Sequence, residues 1–166
     1  ATLAIANYKG PVYLRFGRPK MPNFTPENQQ FEIGKAVVLK EGKDISIFAT
    51  GHLVYPALEA AYMLHDKGIA AEVINIHTIK PLDNKAVLDS VMKTKCVVTA
   101  EEHLLNGGLG DSVAQLLVRN YPVPQEYVAM EDRFGISGKP EEVLSYFGLD
   151  KEHIFNASLK AIQRKK

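Results

Sequence analysis

Cysteine is almost missing from this chain. Cys96 stands alone, so no internal disulfide can form, and its setting in Cys96-Val97-Val98 suits a small buried side chain rather than a nucleophile. A reducing compartment is expected. Nothing approaches the roughly 20 consecutive apolar residues that a membrane helix requires, and the first residues lack the charged start and apolar stretch of a signal peptide. These absences point to a soluble, cytoplasmic protein. Neither charge is in surplus: 20 Lys and Arg against 19 Asp and Glu leave a net of +1. There is no overall field to hold a polyanion or a lipid surface, which sets aside nucleic acid and membranes as partners. The one basic run, Arg164-Lys165-Lys166, suits the negative end of a terminal helix.

What is present suffices for one ordinary core. The chain has 166 residues, 46% of them hydrophobic and 23% charged, a balance that excludes disorder as the main state. The opening Ala1 to Ala6 reads as the tail of a helix, as though the chain continued from something longer. Gly10-Pro11 then breaks it, and Val12 to Phe16 reads as a short strand. Pro19, Pro22 and Pro26 give residues 19–30 the composition of a linker.

From Phe31 onward strands and helices alternate. Ala36 to Leu39 and Ile45 to Ala49 flank Glu41-Gly42-Lys43, a spacing that predicts an antiparallel hairpin with the first strand at an edge. A helix over about Leu53 to Lys67 follows, with Val54, Ala57, Leu58, Ala61 and Leu64 on one stripe and Gly68 closing it. Further strands are expected at Glu72 to Ile76, Cys96 to Ala100 and Tyr127 to Met130. Helices are expected from the Asp83 cap to about Lys93, over Gly110 to Asn120, over Pro140 to Phe147, and from the Asp150 cap to Gln163. Strands and helices in this order predict a three-layer α/β sandwich. Its sheet of about five strands is mostly parallel, with one antiparallel edge strand.

Three clusters invite a chemical reading. Asn106-Gly107-Gly108-Leu109-Gly110 lies between a strand and a helix, where backbone amides attract anions. Glu101, Glu102 and Asp111 surround it without a nearby cation, and the Gly-x-Gly-x-x-Gly spacing is incomplete, so a tight turn with close helix-to-sheet packing is the better reading. Glu101-Glu102-His103 combines carboxylates with an imidazole. Alternation along a strand puts only Glu101 and His103 on one side, and no second His or Cys cluster has metal-site spacing, so it reads as a polar rim. His52, His65, His77 and His153 read as scattered surface or rim residues. The third cluster, Arg15-Phe16-Gly17-Arg18, offers two guanidinium groups that can grip a phosphate bidentately, although exposed basic residues beside a linker are also commonplace.

The order of these segments resembles the C-terminal part of transketolase. Gly10 to Pro19 (GPVYLRFGRP) is similar to the end of the family's middle, pyrimidine-binding domain. Phe31 to Ala36 (FEIGKA) and Glu41-Gly42-Lys43-Asp44 resemble the opening of its last domain. Ile79 to Asp83 (IKPLD), Thr99 to His103 (TAEEH), Gly107 to Gly110 (GGLG) and Phe134 to Pro140 (FGISGKP) continue the match in order. The resemblance implies residues 1–18 as the tail of the preceding domain, residues 19–30 as a linker and residues 31–166 as the C-terminal domain.

It further implies an enzyme using thiamine diphosphate and Mg to move a two-carbon ketol unit between ketose and aldose phosphates, as in the pentose phosphate pathway. The family's Gly-Asp-Gly cofactor motif and the Glu that activates the cofactor belong to domains absent here; Gly110-Asp111 is followed by Ser112. The chain alone is therefore expected to bind no cofactor, to hold no catalytic residue and to be inactive. Its implied partners are the N-terminal thiamine-diphosphate-binding portion of the same enzyme, sugar phosphates and, when complete, a second copy in a homodimer. By the same resemblance Arg18 is the ligand for the substrate's phosphate, Arg15 is less constrained, and Glu101, Glu102 and His103 receive no catalytic role. The equivalent domain of 1-deoxyxylulose-5-phosphate synthase or of a 2-oxoacid dehydrogenase beta subunit shares the scaffold, with Asp132 to Pro140 favouring transketolase. A non-catalytic assembly or regulatory module is the alternative of another class.

Overall fold

The computed structural model describes residues 1–17 and 20–165. Its elements run as a short helix α1 (Thr2–Ala6), β1 (Val37–Lys40), β2 (Ile45–Ala49), α2 (Val54–His65), β3 (Ala71–Asn75), α3 (Asn84–Thr94), β4 (Val97–Leu104), α4 (Leu109–Asn120), β5 (Gln125–Met130), α5 (Pro140–Tyr146) and α6 (Lys151–Gln163). A 3₁₀ turn at Gly51–Leu53 joins β2 to α2. The five-stranded sheet has the order β1-β3-β2-β4-β5. Its strands β3, β2, β4 and β5 are parallel, and β1 lies antiparallel at the edge. The expected three-layer α/β sandwich, mostly parallel with one antiparallel edge, is the architecture observed.

The period of two along each strand divides the core into two layers. Ile45, Ile47 and Ala49 of β2, with Val73, Val98 and Ala100 of its neighbours, pack with Ala57, Ala61 and Leu64 of α2 and Ile154 and Ala161 of α6. Phe48, Ile74 and Val97 point the other way, against Val87 and Val91 of α3 and Leu109, Val113 and Leu117 of α4. Because both faces of β2 are covered, all five of its residues are buried, Ser46 included. The Ser46 hydroxyl is satisfied at 2.6 Å by both Ser90 and Thr94 of α3. Beside them the buried Glu72 carboxylate accepts from the Ser90 hydroxyl and from Lys93 Nζ, the latter at 2.5 Å. Fully partnered, this polar group fixes α3 on the sheet without an unpaired charge.

Two expectations fail. β1 and β2 are not a hairpin: β1 pairs with β3, Val37 opposite Asn75 and Val38 opposite Ile74. The chain between them crosses the start of β3, where the Lys43 and Asp44 amides both donate to the Ala70 carbonyl and the Asp44 carboxylate accepts from the Ala70 amide at 2.7 Å. Gly42 is present because any Cβ there would overlap the backbone of Ala71 and Glu72, not because the chain turns back on itself. Val12 to Phe16 is also not a strand but irregular, exposed backbone. Leu3, Tyr13 and Phe16 are 83%, 87% and 82% exposed, since no strand lies beside this segment to pair with it.

The helix starts follow their sequence signals. Asp83 accepts from the Ala86 amide and Asp150 from the His153 amide, each capping its helix as expected.

The Gly42 contact yields a stability test. The backbone it meets cannot yield as a flexible side chain would, so Gly42→Ala should lower stability by about 2 kcal/mol in a denaturant melt. A variant as stable as the parent would show that the crossing is looser than described.

Candidate functional site at the carboxyl end of the sheet

In open α/β sheets the crevice for ligands lies at the carboxyl ends of the strands, where successive connections leave in opposite directions. Here that point falls between β2 and β4. From β2 the chain passes through α2 to β3 on one side, and from β3 through α3 to β4 on the other. The amide of Thr50, just past β2, donates to Ala100 of β4 at 3.0 Å and holds the two strand ends together. The 3₁₀ turn carrying His52 follows β2, while Glu101, Glu102 and His103 form the outer half of β4.

These three residues, adjacent in sequence, are not brought together as one cluster. Glu101 is 1% exposed. Its carboxylate accepts from the Leu109 amide and the Gly110 amide, both at 2.7 Å, and so occupies the amino end of α4. Gly108 must lack a side chain because a Cβ would overlap that carboxylate, and Gly110 because its Cβ would strike the Tyr127 ring of β5. Gly107, at φ +85°, makes the turn, and its amide donates to Asp111 at 2.6 Å. The glycine-rich segment is thus the tight turn with close helix-to-sheet packing that its sequence suggests, and the anion it holds is internal.

Glu102, on the opposite side of β4, meets His52: Nδ1 and Oε2 lie 2.5 Å apart. The His52 side chain is only 17% exposed. Over it passes the N-terminal segment, since a Cβ on Gly17 would fall within the van der Waals envelope of His52 Nε2. Arg15 reaches the same strand end, its guanidinium 3.5 Å from the Glu102 carbonyl. His103 bonds only its neighbour, Nδ1 at 3.0 Å from the Leu104 carbonyl. Arg18 lies outside the described residues, one position beyond Gly17. Sequence reasoning passed over His52 as a rim residue. The signal available was its place two residues after a central strand, at the switch point of the sheet.

Elsewhere the chemistry is quiet. Burial pushes the Cys96 thiol up to about 11, so it is no thiolate at neutral pH. A cleft of about 420 Å³ between residues 23–31 and the ends of β1 and β3 is lined by amides, Phe31 and His77. Burial holds His77 below its ordinary range, and among the described residues no Lys or Arg lines that cleft to meet a phosphate. Among the described residues no group of His, Cys, Asp or Glu is arranged to hold a metal ion, and no helix is long and apolar enough to cross a membrane. The glycine-rich start of α4 does not fit a diphosphate either, because Glu101 already fills it.

Comparison with known proteins gives this geometry a relation. Residues 34–154 match the family described as transketolase, C-terminal domain. The chain is 45% identical over 161 residues to the 6-deoxy-6-sulfo-D-fructose transketolase subunit SqwH of Clostridium sp. (strain MSTE9), covering 97% of this chain and 50% of that one. It is 38% identical to an apulose-4-phosphate transketolase subunit of Phocaeicola vulgatus, covering 96% and 51%. A solved split-gene transketolase, an inactive beta4 tetramer, superposes with a TM-score of 0.95 at 43% identity, covering 99% of this chain and 55% of that one. The chain thus spans about half the length of these relatives.

The tetramer corrects the expected homodimer. A two-fold dimer buries one self-complementary patch, whereas this chain exposes two apolar groups: Leu3, Tyr13 and Phe16 in the N-terminal segment, and Phe134, Ile136 and Tyr146 around α5.

The internal anion gives a direct test. Glu101→Ala should leave two buried α4 amides unpartnered and cost about 1–3 kcal/mol, lowering Tm. Glu101→Gln, which keeps an accepting oxygen, should cost less. Equal, negligible losses would mean that the carboxylate does not hold α4.

Proposed function

The chain belongs to the family of transketolase C-terminal domains, and on that premise we propose that it is the C-terminal part of a thiamine-diphosphate-dependent enzyme. The enzyme moves a two-carbon ketol unit from a ketose phosphate to an aldose phosphate. This chain contributes assembly surface and the grip on the substrate's phosphate, while the cofactor and its metal belong to the portion not present. Residues 1–18 are the end of the preceding domain, residues 19–30 the linker and residues 31–166 the C-terminal domain.

The observation that carries this reading is the near-complete coverage of this chain by relatives that are themselves transketolase subunits or a split-gene transketolase. Two features of the molecule support it. The N-terminal segment keeps Leu3, Tyr13 and Phe16 exposed, as a helix end and an unpaired stretch of chain would be when the domain they complete is elsewhere. The carboxyl end of the sheet, where that segment lies over His52 and Glu102, is the end at which such folds meet ligands. The inactive state of the tetrameric relative supports the view that this chain has no activity alone.

Arg18 is the residue assigned to the substrate. A guanidinium offers a planar pair of N–H donors to a phosphate, and such a charge-assisted contact is worth about 1.5–3 kcal/mol. Its work is binding and orientation; no proton moves at Arg18, because a guanidinium stays charged.

Two measurements test the proposal. Calorimetric titration of the isolated chain with thiamine diphosphate and Mg should give no binding, and ketol transfer should emerge only on addition of the cofactor-binding portion. In that reconstituted enzyme Arg18→Ala should lower kcat/KM for phosphorylated sugars by roughly ten- to a hundredfold and barely affect unphosphorylated analogues. Arg18→Lys should recover part of the loss. Equal losses on both substrate classes would make Arg18 a structural residue.

A further inference from the structure

The cleft between residues 23–31 and the ends of β1 and β3 holds about 420 Å³, a size at which small molecules are bound. Its walls decide what can enter. Thr25, Glu27, Gln29 and Gln30 line it on one side, and Asn75 and His77 from the end of β3 on the other. The Phe31 ring packs on the His77 ring, centroids 4.3 Å apart, and keeps 36% of its residue surface exposed. Among the described residues the lining has no Lys or Arg, and its one charged group is the Glu27 carboxylate. A phosphate or carboxylate would give up water only to meet a like charge. A lipid chain would leave the amides without partners.

His77 narrows the choice further. Its Nδ1 lies 2.9 Å from the Thr78 hydroxyl, while Nε2 is buried and bonds to no group among the described residues. Burial holds the ring below its ordinary pKa, so it is neutral at pH 7. Nε2 then offers either a proton or a lone pair, according to which way the bond to Thr78 runs. A hydroxyl answers both cases, because it donates and accepts.

We propose that this cleft binds a neutral polyhydroxylated molecule, a sugar or polyol without phosphate. Its hydroxyls bond Gln30 and Asn75 on opposite sides and the Glu27 carboxylate, and its C–H face covers exposed surface of Phe31. One hydroxyl reaches His77 Nε2 as the Phe31 ring tilts off the imidazole, and so ends the isolation of a buried polar atom. A planar heterocycle is the poorer match, since its polar atoms lie in one plane while the amides face it from two sides. Neither a cofactor nor Arg18 enters the site.

The isolated chain suffices for the test. Backbone amide and histidine side-chain NMR signals are followed while D-ribose, D-fructose, ribose 5-phosphate or cytosine is added. At least one free sugar should shift the signals of residues 25–31 and 75–78 and the His77 Nε2 resonance. Its Kd should be on the order of 1 mM, about what a ligand of a dozen heavy atoms reaches in an open cleft. The phosphate ester should bind roughly tenfold more weakly, because Glu27 opposes its charge. His77→Phe, which keeps a ring to pack on Phe31 but removes both nitrogens, should weaken sugar binding about tenfold. Gln30→Ala, at an exposed position where folding is not at stake, should weaken it by about threefold.

If neither sugar shifts the cleft signals at about 100-fold above that Kd, the site falls. Ribose 5-phosphate binding as well as ribose, or cytosine binding better, overturns the ligand class. A folded His77→Phe of unchanged affinity overturns the part given to Nε2. Should that variant not fold, Gln30→Ala decides, and parental affinity in it overturns the proposed contacts.

Discussion

The carboxylate of Glu101 sits at the amino end of α4, and the arrangement at this end of the sheet follows from it. It supplies the negative charge that the helix start demands. By doing so from within, it closes the site to any outside anion, orients α4 against β4 and β5, and forces glycine at position 108. With Glu101 turned inward, the pleat sends Glu102 the other way, to the ring of His52. Two neighbouring carboxylates thus divide two tasks: one completes a helix, the other holds an imidazole under the N-terminal segment. A glycine-rich loop that looks made for phosphate is a packing device, and the place where an incoming segment is received lies on the opposite face of the same strand.

The sheet was legible because its signals were redundant. Runs such as Ile45 to Ala49 and Cys96 to Ala100 are too short and too apolar to be anything but covered strands, and the caps at Asp83 and Asp150 mark helix starts through a mechanism that needs no tertiary context. The failures came where one local pattern serves two geometries. Glu41-Gly42-Lys43 between two strands satisfies the rule for a hairpin, but glycine is equally demanded where one stretch of chain crosses another closely, and only the backbone it crosses decides between them. Val12 to Phe16 has the composition of a strand and no strand to pair with; propensity cannot supply the neighbour.

The reading of Arg18 as a phosphate ligand came through resemblance and lies outside the described residues, whereas the contact at the strand ends was not legible in the sequence. His52 and Glu102 are 50 residues apart, and their contact is a product of topology: the order β3-β2-β4 brings the turn after the first central strand beside the end of the second. No spacing rule within the sequence encodes that. The sequence read Glu101-Glu102-His103 as one polar rim with only Glu101 and His103 on a side, and the structure gives each member its own partner. The acidic pair reads differently once each carboxylate is assigned its partner, which is why the segment's role as a rim was too coarse.

The displaced pairing of β1 has a bearing on how the molecule assembles itself in time. A hairpin can zip as soon as its two arms exist, but β1 finds its partner only across the whole of β2 and α2, with Val37 meeting Asn75. Closing so long a loop is unfavourable until β2 and β3 already lie side by side. The edge strand is therefore added to a pre-formed parallel pair, and the stretch leading into it, residues 20–36, is drawn onto the sheet last. In a chain emerging amino end first, residues 20–36 would wait, unpaired, until roughly forty residues more had followed them.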